Sequence, residues 1–62
     1  MNNDARKILL LEDEKDIARI IKIHLERFGY DVTSVLEGTE WLAAAQSGKY
    51  DICLLNVYLP GL

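Results

Sequence analysis

Apolar residues fall into three short runs along the chain, separated by segments of helical character. Residues 7–11 contain four consecutive apolar side chains, Ile8 to Leu11, without the alternation of a half-exposed strand. This run predicts a central strand that is covered on both faces. Residues 30–36 are rich in β-branched and aromatic side chains and predict an edge strand, and residues 51–57 predict a third strand.

The two segments between the predicted strands have helical patterns. After the acidic residues Glu12 to Glu14, the side chains of one helical face recur at the expected spacing: Ile17, Ile20, Ile21, His24, Leu25 and Phe28. We predict that Asp13 caps the amino end of this helix and that Gly29 takes the left-handed conformation that ends it. Residues 40–46 contain three alanines and predict a second helix.

The resulting order of elements, βαβαβ, predicts an α/β fold with right-handed crossovers and a parallel sheet. The 62 residues are enough for one unit spanning residues 1–62 and too few for a multidomain enzyme. So small a core is marginal on its own, and the lone Cys53 cannot form an internal disulfide. We therefore expect self-association to complete the fold.

Charge and hydropathy narrow the expected partners and location. The net charge of −3 and the pI near 4.9 argue against direct binding of nucleic acid, which needs a basic surface. The apolar runs are far shorter than the roughly 20 residues that cross a bilayer, so we expect no membrane partner. The lone cysteine and the lack of a signal-peptide pattern favour the cytosol.

Polar residues follow the first and third predicted strands directly. Glu12 and Asp13 come after the first strand, and Asn56 lies at the end of the third. Since parallel strands bring their carboxyl ends to one edge, we expect these three side chains to lie together. The loop after the first strand has no glycine to approach a phosphate, whereas paired carboxylates suit a hard cation such as Mg²⁺. The pattern favours a metal-assisted site over a dinucleotide site.

Four segments together resemble the receiver domain of two-component response regulators. They are Ile8-Leu9-Leu10-Leu11-Glu12-Asp13-Glu14, Phe28-Gly29-Tyr30, Gly48-Lys49-Tyr50-Asp51, and Leu54-Leu55-Asn56-Val57-Tyr58-Leu59-Pro60-Gly61. The resemblance covers nearly the whole chain. It implies the βαβαβ half of a flavodoxin-like doubly wound fold, with three parallel strands in the order 2-1-3 and two helices.

The resemblance also implies a site and partners. In this family the acidic pair after the first strand binds Mg²⁺, and an aspartate ending the third strand accepts a phosphoryl group from a sensor histidine kinase. A backbone carbonyl two residues later completes the metal site. Carried over, these roles fall on Glu12 with Asp13, on Asn56, and on the carbonyl of Tyr58.

Two departures from the family alter that expectation. Asn56 stands where the acceptor aspartate belongs, and a neutral amide is a poor nucleophile, so we predict a chain that cannot accept a phosphoryl group and is not an enzyme. The lost carboxylate also predicts weak or absent Mg²⁺ binding. The second half of the receiver domain, with its hydroxyl residue and lysine, is missing from the 62 residues.

Other residues and other functions have plainer interpretations. Cys53 is expected to be a small buried hydrophobe, and His24 a packing residue without a catalytic role. One alternative to a receiver segment is a phosphorylation-independent module, or a designed half-domain, that forms a homodimer through the exposed edge of the third strand. A small enzyme or nucleotide binder on the same topology is a third hypothesis, disfavoured by the absent glycine loop and base–nucleophile pair.

Overall fold

The chain folds into a three-stranded parallel sheet with two helices in a computed structural model, which describes residues 5–57. In chain order the elements are β1 (Lys7–Leu11), α1 (Lys15–Arg27), β2 (Asp31–Val35), α2 (Gly38–Gln46) and β3 (Ile52–Leu55). The predicted βαβαβ order is confirmed. The second and third strands are shorter than predicted, and α2 begins two residues earlier. No helix within the described residues is long and apolar enough to cross a membrane.

The sheet has the order β2-β1-β3, with both pairings parallel. This confirms the expected 2-1-3 arrangement and places β1 in the centre. Because the chain crosses to one side of β1 and then to the other, right-handed connections put α1 and α2 on opposite faces of the sheet.

The core is built around the central strand. Ile8, Leu10 and Val32 form a buried cluster on one face, against which Ile21 and Leu25 of α1 pack. Strand alternation points Leu9 to the other face, where α2 contacts β1, and Leu9 is fully buried. The uninterrupted apolar run of β1 therefore reflects burial on both faces.

Of the two predicted boundaries of α1, the structure confirms the carboxyl-terminal one and contradicts the amino-terminal one. Gly29 adopts a φ of 93°, the left-handed conformation expected after the helix. The predicted cap at Asp13 is wrong, since the N-cap is Glu14 and its side chain makes no capping hydrogen bond. The first helical hydrogen bond runs from the N–H of Ala18 to the carbonyl oxygen of Glu14, and the backbone N–H of Glu14 is bonded to the side chain of Glu12.

The buried face of α1 is rotated relative to the predicted one. Ala18 is buried and Ile21 and Leu25 are partly buried, as the sheet requires. Ile17 and Ile20 are exposed, and Phe28 retains 80% of its surface. The sequence marks a broad apolar face, but a sheet this narrow covers only one side of it.

The third strand is paired along one edge and exposed on both faces. All four residues of β3 are exposed, so the prediction that Cys53 is buried is wrong. The helices lie against β1 and β2, which leaves β3 uncovered. His24 is likewise exposed rather than packed, and its Nδ1 lies 2.8 Å from the carbonyl oxygen of Ile20.

Matched leucine substitutions on neighbouring strands test this uneven core. Leu10 and Leu54 are register partners, but Leu10 is 1% exposed and Leu54 is 37% exposed. We expect Leu10→Ala to lower the free energy of unfolding by about 2–5 kcal/mol and Leu54→Ala by about 1 kcal/mol or less. Urea denaturation at one fixed protein concentration measures both. Equal losses would contradict the placement of the core at β1.

Candidate functional site

The candidate site lies where β1 and β3 end side by side. Leu11 and Leu55 are register partners, so the next residues, Glu12 and Asn56, leave the sheet at the same edge. The N–H of Asn56 donates to the carbonyl oxygen of Leu11 at 2.8 Å, and the N–H of Glu12 donates to that of Val35 at 3.2 Å. The backbone of both residues is therefore fixed by the sheet.

The side chains of Asn56 and Glu12 are directly bonded to each other. The Asn56 amide donates from Nδ2 to Glu12 Oε1 at 2.5 Å, across 44 residues of sequence. Glu12 Oε2 accepts a second hydrogen bond, from the backbone N–H of Glu14, at 2.9 Å. Glu12 is only 3% exposed, so a carboxylate in this position depends on such donors to offset its desolvation.

The other two residues predicted for the site, Asp13 and Tyr58, are not part of this hydrogen-bonded pair in the described residues. Asp13 is exposed, and its carboxylate takes part in none of the side-chain hydrogen bonds found for residues 5–57. Tyr58, whose carbonyl the resemblance assigned to the metal, lies outside the described residues. The role of the Glu14 N–H was missed by sequence reasoning, because a backbone donor carries no residue-type signal.

Among residues 5–57 the arrangement offers a divalent cation no ready set of oxygen ligands. Mg²⁺ requires oxygen ligands, yet Asn56 turns its amide nitrogen toward Glu12, because the acceptor carboxylate requires a donor there. Both oxygens of Glu12 are already engaged by N–H donors. Within residues 5–57 no cluster of three His, Cys, Asp or Glu side chains is arranged to hold a metal.

Similar proteins include bacterial transcriptional regulators. The chain is 53% identical over 55 residues to the transcriptional regulatory protein YkoG of Bacillus subtilis, covering 89% of this chain and 24% of that protein. It is 42% identical over 57 residues to the alkaline phosphatase synthesis transcriptional regulatory protein PhoP of the same organism, covering 92% and 24%. It is 43% identical over 56 residues to the response regulator ArlR of Staphylococcus saprophyticus, covering 90% and 26%.

The chain thus spans about a quarter of the length of these relatives. No solved structure gives a significant match. The family model described as the response regulator receiver domain matches residues 8–62, which include both Glu12 and Asn56. With three parallel strands in the order 2-1-3 and polar residues at their carboxyl ends, the chain belongs to the response regulator receiver domain family and corresponds to the N-terminal part of that domain.

Proposed function

We propose that this chain is a receiver segment of two-component signalling that cannot accept a phosphoryl group. The observation that carries the proposal is the hydrogen bond from the Asn56 amide to the buried Glu12 carboxylate. In this proposal Asn56 corresponds to the family's acceptor aspartate, and its amide is a neutral donor where the chemistry needs an anionic nucleophile.

The chemistry of the amide explains the expected inactivity. Phosphoryl transfer to a carboxylate forms an acyl phosphate through an oxygen that carries negative charge. The amide oxygen of Asn56 is neutral, and its nitrogen is held by Glu12. Neither atom offers the anionic lone pair that would attack phosphorus.

The same contact accounts for weak or absent Mg²⁺ binding. Receiver domains generally bind Mg²⁺, and cation affinity depends on the number of charged oxygen ligands. The remaining candidates are Asp13, which is exposed, and Glu12, whose two oxygens already accept hydrogen bonds from Asn56 and from the N–H of Glu14. The backbone carbonyl of Tyr58 also remains a predicted ligand.

The partners of the whole protein follow from the family rather than from these residues. A sensor histidine kinase is the expected signalling partner, and the chain would meet it as a non-catalytic module in the cytosol. Two relatives are named as transcriptional regulatory proteins, but this segment is acidic and is not expected to contact DNA itself.

A phosphodonor experiment tests the central claim. Residues 1–62 are extended with the segment of YkoG that follows its 55 matched residues, and the fusion is incubated with acetyl phosphate and Mg²⁺. We expect intact mass spectrometry to find one added phosphoryl group on the Asn56→Asp form and none on the form with asparagine. Labelling of the asparagine form would refute the proposal. Equal absence from both forms would place the defect outside Asn56.

The free energy of unfolding of the 62-residue chain tests whether Asn56 stabilises the buried carboxylate of Glu12. Asn56→Asp sets a carboxylate against the buried Glu12, so we expect a loss of about 1–3 kcal/mol in the free energy of unfolding without Mg²⁺. Added Mg²⁺ should restore stability, because it binds only the folded variant's paired carboxylates. Gln46→Glu makes the same amide-to-acid change at an exposed position and serves as the control. Stability of the unaltered chain should not depend on Mg²⁺, and a dependence equal to that of Asn56→Asp would contradict the proposal.

The exposed third strand favours a second proposal, that two copies of this chain pair along β3. Within residues 5–57 this strand is paired on one edge only, and its apolar residues Ile52, Leu54 and Leu55 are 37%, 37% and 51% exposed. Unpaired strand edges are ready templates for another strand. A two-fold axis would join the two β3 strands antiparallel and produce a continuous six-stranded sheet.

Light scattering over a concentration series, in reducing buffer so that Cys53 cannot cross-link, tests this pairing. We expect a mass of twice the 7.1 kDa of one chain. Leu54→Lys should shift the protein toward monomer because charged side chains block edge pairing. Leu42→Lys, at an exposed position on α2, should leave the dimer intact. A folded monomer at all concentrations, or equal effects of the two lysines, would exclude pairing through β3.

A further inference from the structure

An open surface groove with a volume of about 320 Å³ lies between α1 and the carboxyl end of β2. Its walls combine positive side chains, a hydroxyl and two small apolar surfaces, and we call it the basic groove. The lining residues are Lys15, Ala18, Arg19, Lys22, Ser34 and Leu36. The volume lies at the lower end of the range for ligand sites.

The three cations of the basic groove stand in one row on α1. Lys15, Arg19 and Lys22 are spaced by four and then three residues, which brings them to the same face of a helix. Seven residues of α-helix extend about 10 Å, so the positive charges are spread over two turns. The buried Ala18 beside them fixes this face next to the sheet.

In the part of the chain that the structure describes, the charged groups of this row, Lys15, Arg19 and Lys22, take part in no side-chain hydrogen bond. Three of the chain's seven Lys and Arg residues thus line one groove, in a protein whose net charge is −3. A local positive site on an acidic domain attracts anions selectively.

The basic groove is separate from the other surfaces of the molecule. It lies at the β2 side of the sheet, and β1 stands between β2 and the exposed edge of β3. Neither Glu12 nor Asn56 lines it. A ligand could therefore occupy the groove whether or not two chains pair through β3 and whatever the state of Asn56.

We propose that the basic groove binds an extended, acidic segment of a partner protein. Charges spread over about 10 Å match carboxylates on successive residues of a peptide better than one compact phosphate. Arg19 can hold a carboxylate in a two-pronged hydrogen bond, and Lys15 and Lys22 act as point charges on either side. The hydroxyl of Ser34 offers a hydrogen bond to the peptide backbone, and Ala18 and Leu36 contact its methylene groups.

Fluorescence anisotropy with a labelled peptide of six glutamates, on the 62-residue chain at low salt, tests the proposal. We expect binding that is at least about tenfold tighter than that of six glutamines, and weaker by about tenfold in the double variant Arg19→Gln, Lys22→Gln. The control double variant Arg27→Gln, Lys49→Gln removes the same two charges from exposed positions outside the groove. It should change affinity by less than about twofold.

Three results would overturn the proposal. Equal losses in the two double variants would mean attraction by overall charge, and no difference between the glutamate and glutamine peptides would mean no acidic site. Displacement of the peptide by tripolyphosphate at concentrations well below those of unlabelled peptide would assign the groove to phosphates instead. Circular dichroism confirms that each variant is folded before its affinity is compared.

Discussion

The structure depends on the burial of one strand. β1 is the only strand of residues 5–57 with neighbours on both edges and a helix over each face, and four of its five residues are buried. Apart from β1, the buried apolar residues of that part of the chain are Ala18 on α1 and Val32 on β2. The helices and the outer strands are organised by their contacts with this strand, and β3 adds hydrogen bonds without a covered face.

The polar site is a direct extension of that buried strand. Glu12 follows Leu11 before the chain reaches solvent, so its carboxylate is buried and needs donors. The amide of Asn56 and the backbone N–H of Glu14 provide them. These donors offset the desolvation of the carboxylate without a cation, which is the basis for the proposed loss of phosphoryl transfer and metal binding.

The surfaces that do not pack against β1 are accessible to partner molecules. Helix α1 presents its partly buried face to the sheet, its cationic row to the groove beside β2, and an exposed apolar side that includes Ile17 and Ile20. Helix α1 and strand β3 each expose three large apolar side chains. Such surface is typical of a unit that packs against further protein.

The sequence by itself determined the order of the elements, the central position of β1 and the carboxyl-end location of the site. These follow from local patterns: four apolar residues in a row, helical spacing after Glu14, and polar residues directly after two strands. The resemblance carried by the segments around Glu12 and Asn56 also identified the family, which the match to residues 8–62 confirms. Gly29 was recognisable as the end of α1 because few other residues tolerate its φ.

Only the tertiary structure decided which apolar residues are buried and how the polar ones are paired. Cys53 and Ile20 carry the same apolar signal as Leu9, yet both are exposed because no element formed by residues 5–57 lies over them. The hydrogen bond between Asn56 and Glu12 joins residues 44 positions apart, so it depends on which strands become neighbours. The same holds for the basic groove, where Ser34 of β2 lies beside the cationic row Lys15, Arg19 and Lys22 of α1. Burial and pairing depend on the whole arrangement of the chain, whereas a sequence pattern reports only the preference of each segment.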